Sequence, residues 1–533
     1  PARINKVQKK FLTGNPWENG QEEEMPACLL ILIVAAAACF GLHADKPDAW
    51  NQFRGPNGSG VHAQAGFSVP SKEGLRWKTA VPSGLSCPVL SVSKIFLTGI
   101  EQGRLVTLAL DRKSGKILWK RKAPQVEIEK FHESAGPATP TPFVDEDMLF
   151  VYFGSFGMLS YDHRGKELWS KPLPTPKSLY GTSCSPIVDG TLLILVTDDD
   201  NNLPNSRVSR SRILAIDKKT GKTLWERPRP FHRSGWSTPT IWEHDGGREL
   251  VVLGNGSLRG YSLPEGEEKW QVDGFSRETI ARPMAGKKFV FASASKLGGS
   301  ADLKTDPAPF WEAVISFDAN GDGRLQRKEM TGHFTFPFRP QLPPGHPGYG
   351  LPLPKDPAKR KKRLDGMFSW MDKNRDGFWD KDEFIANLTI GRGKPLLVAV
   401  KPGGSGNVTD SHLGWEFNKG IPEVPSPILH EDRVYMISNG GVLTCVDASK
   451  GEMIYRRRLE GRGQYVSSPV VAGNDLILAS EEGLVSIIRT GDEFKAIGRY
   501  DLGETIEVTP ALGKDTLFLR SKNFLWAFGK PGS

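Results

Sequence analysis

The feature that most constrains this chain is a recurrence. A small residue followed by proline opens a series of short β-forming runs, and the series comes back eight times. Thr141 to Trp169, TPFVDEDMLFVYFGSFGMLSYDHRGKELW, shows one full copy. It holds four runs of about five residues, alternating or apolar and bounded by turn residues, which is the pattern of four antiparallel strands. One such sheet cannot bury its own two faces, so copies must stack. The openings are Cys87-Pro88, Thr141-Pro142, Ser185-Pro186, Thr238-Pro239, Arg282-Pro283, Ser426-Pro427, Ser468-Pro469 and Thr509-Pro510. Their prolines are 54, 44, 53, 44, 144, 42 and 41 residues apart. Six gaps fit one blade of a propeller, and the 144 is one blade plus roughly 100 inserted residues. The copies close on GKILW, GKELW, GKTLW, GEEKW and GEMIY, ending at Trp119, Trp169, Trp225, Trp270 and Tyr455. Proline at a strand's first position forfeits no ladder hydrogen bond. A bulky aromatic on the last strand can fill the space between neighbouring sheets.

The eighth copy stops at NFLWAFGK without an outer strand, while an orphan strand, Leu75 to Val81, precedes the first. Pairing the two closes a ring and removes two open edges. The expected fold is therefore all-β, an eight-bladed propeller of four-stranded blades, with a small α-helical pair inserted in blade five. Residues 45–300 carry blades one to five in part, 301–392 the insertion, and 393–533 the rest. The pattern S-P-x-V…G-x-L-x-A-x-D-x-x-T-G-K-x-L-W resembles the quinoprotein-like (PQQ-like) β-propeller repeat of secreted bacterial proteins, and RILAIDKKTGKTLW, Arg212 to Trp225, is its best copy. WNQFRGPNGSG, Trp50 to Gly60, is similar to an opening segment of such propellers. It reads as a capping arm with Trp50 and Phe53 packed and Arg54 in an ion pair, or as an arm that brings Arg54 to the channel mouth. The resemblance implies a fold and leaves activity open, because this repeat serves dehydrogenases and binding scaffolds alike.

The insertion carries the clearest chemistry. Asp318 to Glu329 reads DANGDGRLQRKE, and Asp372 to Glu383 reads DKNRDGFWDKDE. Both have the twelve-residue spacing of an EF-hand loop, which wraps about seven oxygens around a hard cation. Asp318, Asn320, Asp322, the Arg324 carbonyl and Glu329 form one expected ligand set, with Gln326 at the ninth position. Asp372, Asn374, Asp376, the Phe378 carbonyl, Asp380 and Glu383 form the other. Two calcium ions are expected, the second held tighter because its loop has more acidic ligands. Leu325 and Trp379, at position eight, suit packing of the loops together. Leu364, Met367, Phe368 and Met371, then Phe384 and Leu388, recur at helical spacing, as do Phe310, Val314 and Phe317. The Pro-rich linker between the loops predicts a loose, extended joint.

Residues 26–42, PACLLILIVAAAACFGL, read as the apolar core of a signal peptide with Met25 as its start, cleaved near Ala44. Cys39 as a lipidated N-terminus and a retained anchor are the alternatives. Either way the chain is expected outside the cytoplasm. The remaining cysteines, Cys87, Cys184 and Cys445, fall in different blades and read as buried thiols. The net charge of +9 is spread among acidic residues, apart from KRKKR at Lys359 to Arg363. No base-reading module accompanies that run, so nucleic acid is not an expected partner. The loops entering the innermost strands supply candidate mouth residues: His132, Glu133, Tyr180, His232, Trp236, Arg277, Arg282, Glu423, Tyr465 and Glu507. They suit ions or sugars, but no two form a recognisable catalytic pair. Dehydrogenases of the resembled superfamily place an adjacent cysteine disulfide beside the cofactor; that pair is missing here, and PQQ is not expected. Two functions stay open: a scaffold for an envelope protein or polysaccharide, or a quinoprotein-type dehydrogenase or other carbohydrate-active enzyme.

Overall fold

A computed structural model describes residues 50–530 apart from 67–69, 133–134, 179, 200–209, 230–231, 233–234, 297–307, 332, 338–342, 346–348, 373, 388–393 and 462. The expectations for residues 1–49, and those for Glu133 and Leu388, lie outside the described residues.

Eight sheets of four or five strands form the blades. Blade two is the plain case, with Phe143–Val144, Met148–Phe153, Gly157–Asp162 and Glu167–Pro172 paired antiparallel in sequence order. Its second strand is buried at every position, whereas its outermost strand alternates with solvent. A sheet sandwiched between two neighbours needs apolar side chains on both faces, so the middle strands read as unbroken hydrophobic runs. Blade five is split. Met284–Ala285 and Val290–Ala294 precede the insertion, and Leu396–Val400 and Leu413–Phe417 complete the sheet after it. Leu75–Ala80 pairs antiparallel with Phe524–Phe528 and supplies the outer strand of blade eight, so the ring closes with the chain's early strand.

Two sets of contacts hold blade to blade. On the outside, the closing tryptophans reach across the gaps. Trp119 Nε1 donates to His163 O at 3.1 Å, Trp169 to Lys218 O at 2.9 Å, Trp225 to Pro264 O at 2.8 Å and Trp415 to Ala448 O at 3.0 Å. Each ring lies flat against the turn glycine of the next blade, and Trp77 packs on Gly115 in the same way at the closure. Trp270 departs from this pattern: its Nε1 donates to Glu249 Oε2 in its own blade.

On the inside, the small residue before each proline hands its amide proton to the hydroxyl of the next one. Cys87 N donates to Thr141 Oγ1, Thr141 N to Ser185 Oγ and Ser185 N to Thr238 Oγ1. The series resumes with Arg282 N to Ser426 Oγ, Ser426 N to Ser468 Oγ and Ser468 N to Thr509 Oγ1. The 44-residue step from Thr238 to Arg282 is skipped because arginine has no hydroxyl to offer.

The arm from Trp50 crosses the far ends of the inner strands. Leu90 N donates to Trp50 O, Val144 N to Asn51 O, Val471 N to Gly60 O and Gly66 N to Lys514 O. Asn57 exchanges two hydrogen bonds with the Ile241 backbone. The arm thereby ties together blades one, two, four, seven and eight.

The outer contacts yield a test. Trp169→Ala is expected to cost about 3–5 kcal/mol. Gly221→Ala is expected to cost about 1–3 kcal/mol, because its Cβ would meet the Trp169 ring at 2.8 Å and its φ is +72°. Denaturant unfolding of both variants is the measurement.

Candidate functional site

The insertion folds around its own core. Trp311, Val314, Leu325, Phe334, Phe368, Met371, Trp379 and Phe384 are buried together. Helices Ala308–Ile315, Pro357–Met371 and Lys381–Asn387 surround them. Leu325–Gln326 pairs antiparallel with Phe378–Trp379, so the two twelve-residue loops lie side by side. The expected loose linker is not what forms. Thr335–Pro337 and Gly350–Pro352 pair as short strands, and Phe334 and Leu353 enter the shared core, because the aromatic and leucine content of this stretch can be buried there.

Within each loop the first aspartate folds the chain over itself. Asp318 Oδ1 and Oδ2 accept from Gly321 N and Gly323 N, both at 2.8 Å. Asn320 Oδ1 accepts from Asp322 N, and Asp322 Oδ1 from Arg324 N. In the second loop Asp372 Oδ2 accepts from Gly377 N at 3.0 Å, Asn374 Oδ1 from Asp376 N and Asp376 Oδ1 from Phe378 N. Asp380 Oδ1 accepts from Glu383 N at 2.8 Å. Oxygens of Asp372, Asp376 and Glu383 lie within 4.8 Å of one another, and Asp372 Oδ1 is shielded from water without a hydrogen-bond partner. A solvent-free carboxylate oxygen beside two other carboxylates is donor chemistry that fits a hard cation. In the first loop Glu329 Oε1 and Oε2 instead accept from Ala319 N and Gln326 N, so both are engaged by the loop's own amides.

The mouth candidates separate into groups. His132, Tyr180 and Trp236 form an aromatic strip, with ring centroids 5.2 and 5.4 Å apart. Trp236 Nε1 donates to Gly181 O. Beside Gly181 stands Glu129, whose Oε1 accepts from Thr182 N at 3.2 Å and lies within 2.9 Å of the Thr182 hydroxyl. His232 is buried, and its backbone carbonyl accepts from the Ser211 hydroxyl. Close to it Arg229 forms a solvent-free bidentate pair with Asp198, at 2.8 and 3.1 Å. Glu423 and Tyr465 meet at Asn439: Asn439 Nδ2 donates to Glu423 Oε2, and Tyr465 N to Asn439 O.

Arg282 is not at the mouth. It occupies an anchor position, 1% exposed, and binds Thr240 Oγ1, Phe53 O and Gln52 Oε1 at 2.9, 2.8 and 3.4 Å. Among the described residues Arg54 has no carboxylate partner: it is enclosed in the ring, because the arm threads it inward rather than across the surface. Trp50 is fully buried and Phe53 half-buried. Glu129, Asp198 and Arg229 escaped the sequence reading. The one sign of Glu129 was an acidic residue in the alternating stretch QVEIEKF.

A family model described as outer membrane protein assembly factor BamB matches residues 69–243, 205–330 and 398–493, more than half of the chain. The chain belongs to this family. No curated protein matches the chain. Among solved structures, BamB from Moraxella catarrhalis is 12% identical at a TM-score of 0.49, covering 86% of this chain and 99% of that one. The computationally designed Ika8 protein is 10% identical at 0.49, covering 84% and 97%. A europium-containing methanol dehydrogenase is 11% identical at 0.45, covering 91% and 98%. Within this BamB-type propeller, no helix among the described residues is long and apolar enough to cross a membrane.

Glu129 gives a pH test. Burial raises its pKa, and the hydrogen bonds from Thr182 offset that only in part. A carboxyl whose folded pKa lies above its unfolded value of about 4.3 loses stability as pH rises between the two and stays penalised above them. Glu129→Gln keeps an acceptor for Thr182. It is expected to raise the unfolding midpoint at pH 8 and to converge with the parent near pH 4, as read by thermal unfolding at both.

Proposed function

We propose that this chain is an extracytoplasmic, calcium-binding scaffold: a rigid ring whose inserted helical unit holds two calcium ions, and whose surface docks an envelope protein or polysaccharide. The observation that carries the calcium reading is the convergence of Asp372, Asp376 and Glu383 around a solvent-free, unpartnered oxygen of Asp372. The donor set fits a hard cation, since every side-chain ligand is an oxygen and the spacing supplies a closing glutamate at position twelve. The ligands would be Asp318, Asn320, Asp322, the Arg324 carbonyl and Glu329 in one loop, and Asp372, Asn374, Asp376, the Phe378 carbonyl, Asp380 and Glu383 in the other. Because the loops share a strand pair and one core, binding in either would rigidify both. The family's description as an outer membrane protein assembly factor supports a docking role outside the cytoplasm.

A second reading is favoured by the His132–Tyr180–Trp236 strip beside Glu129. Aromatic faces with a carboxylate at one end suit a sugar ring, and a group able to hold a proton could serve carbohydrate chemistry there.

Calcium titration by calorimetry tests the main reading. Two ions should bind. Glu383→Gln should weaken the tighter site and Glu329→Gln the weaker one, each at least tenfold and each leaving the other site in place. No heat from the parent protein, or titrations unchanged in both variants, would remove calcium from the account.

A further inference from the structure

Helix Pro357–Met371 is committed on one side only. Leu364, Phe368 and Met371 pack into the core of the insertion. Residues three and four apart share a helix face. The outward face runs Lys359, Lys362, Gly366 and Trp370, and all four are exposed. Lys361 is exposed beside them, as is Lys355 just before the helix. The helix holds five cations, Lys359 to Arg363, and one acid, Asp365. Asp365 is already engaged, by Arg327. Arg360 is turned back, donating to Pro354 O and Lys355 O. Among the described residues no carboxylate pairs with Lys359, Lys361 or Lys362.

Like charges three and four residues apart on a helix repel. Cations in the first turns also oppose the helix dipole. The fold gains nothing from this run, so its use lies with an anion outside the chain. The other end of the same face is apolar. Trp370 is 38% exposed and Leu351 41%. Phe336 joins them: its ring centroid stands 6.4 Å from that of Trp370, and Leu351 is its partner across the hairpin. Along the axis Lys359 and Trp370 are about 16 Å apart, three turns of helix.

We propose that this face docks on a membrane surface rich in anionic lipid, with the lysines meeting headgroup phosphates and Trp370 and Leu351 entering the headgroup layer. The pairing of the two ends selects this occupant. An acidic polysaccharide would answer the lysines and leave Leu351 facing water. A lipid interface takes up both, since indole and leucine groups are favoured at headgroup depth while ammonium groups stay with the phosphates. The main apolar face of the helix is spent on the core, so the contact is peripheral, reversible and dependent on surface charge. This goes beyond the docking partners proposed above.

Cosedimentation of the full chain with lipid vesicles tests it. Phosphatidylcholine vesicles with about one third phosphatidylglycerol should bind the parent protein at least about tenfold more tightly than phosphatidylcholine alone. Salt at about 0.5 M should remove that difference. Binding through the apolar stretch 26–42 would be equal on both vesicles and would survive salt. Lys359→Gln with Lys361→Gln and Lys362→Gln should lower binding to the anionic vesicles about tenfold or more. Lys359→Arg with Lys361→Arg and Lys362→Arg should keep it. Equal binding of the parent protein to neutral and anionic vesicles overturns the proposal whether or not any variant folds. A glutamine variant that binds anionic vesicles as the parent does overturns it too. A parent protein that leaves the vesicles for soluble polygalacturonate at matched charge assigns the face to a polymer and overturns the membrane proposal.

Discussion

The propeller depends on a small polar interaction repeated around its inner wall. At six of the eight anchors the residue before the proline donates its amide proton to the hydroxyl of the corresponding residue in the next blade. Proline then removes the following amide from the ladder, so the strand starts at a fixed place. A buried amide left without an acceptor would cost about 1–3 kcal/mol, and these hydroxyls are its partners. The requirement for a small hydroxylated residue at a strand's first position follows directly, as does the break where arginine stands instead.

That requirement is why the architecture could be read from the chain. The spacing of anchor dipeptides equals the spacing of hydrogen-bonded partners, because each partner is one blade further on. The outer tryptophans were legible for a related reason: each needs a glycine turn one blade later, and the G-K turns are regular. The pairing of Leu75–Ala80 with the last blade followed from counting strands. Trp270 shows the limit. It sits at the right place in the repeat, but its indole turns to Glu249 in its own blade, and its strand takes on Gly406–Asn407 from blade five, neither of which the repeat reveals.

Side-chain destinations that depend on three dimensions were hidden. Arg54 reads in sequence as an ion-paired or mouth arginine and Arg282 as a mouth residue; both are buried. Glu129 is unremarkable in sequence and becomes a buried carboxyl only because Thr182, from the next incoming loop, reaches it. The proline-rich linker misled for the opposite reason. Its local composition argues for extension, and Phe334, Phe336 and Leu353 find a shared core that outweighs it. The acidic loops, by contrast, are local in sequence, and the first aspartate of each accepts from amides of its own loop.

The ring of anchor hydrogen bonds makes a claim about cooperativity: the blades stand or fall together. Native-state amide hydrogen exchange tests it most directly. The amides of Cys87, Thr141, Ser185, Arg282, Ser426 and Ser468 are expected to exchange only through global unfolding, with one common free energy and one common denaturant dependence. Exchange that differs from blade to blade, with any of these amides opening well below the global free energy, would show that the inner wall is not what holds the propeller closed.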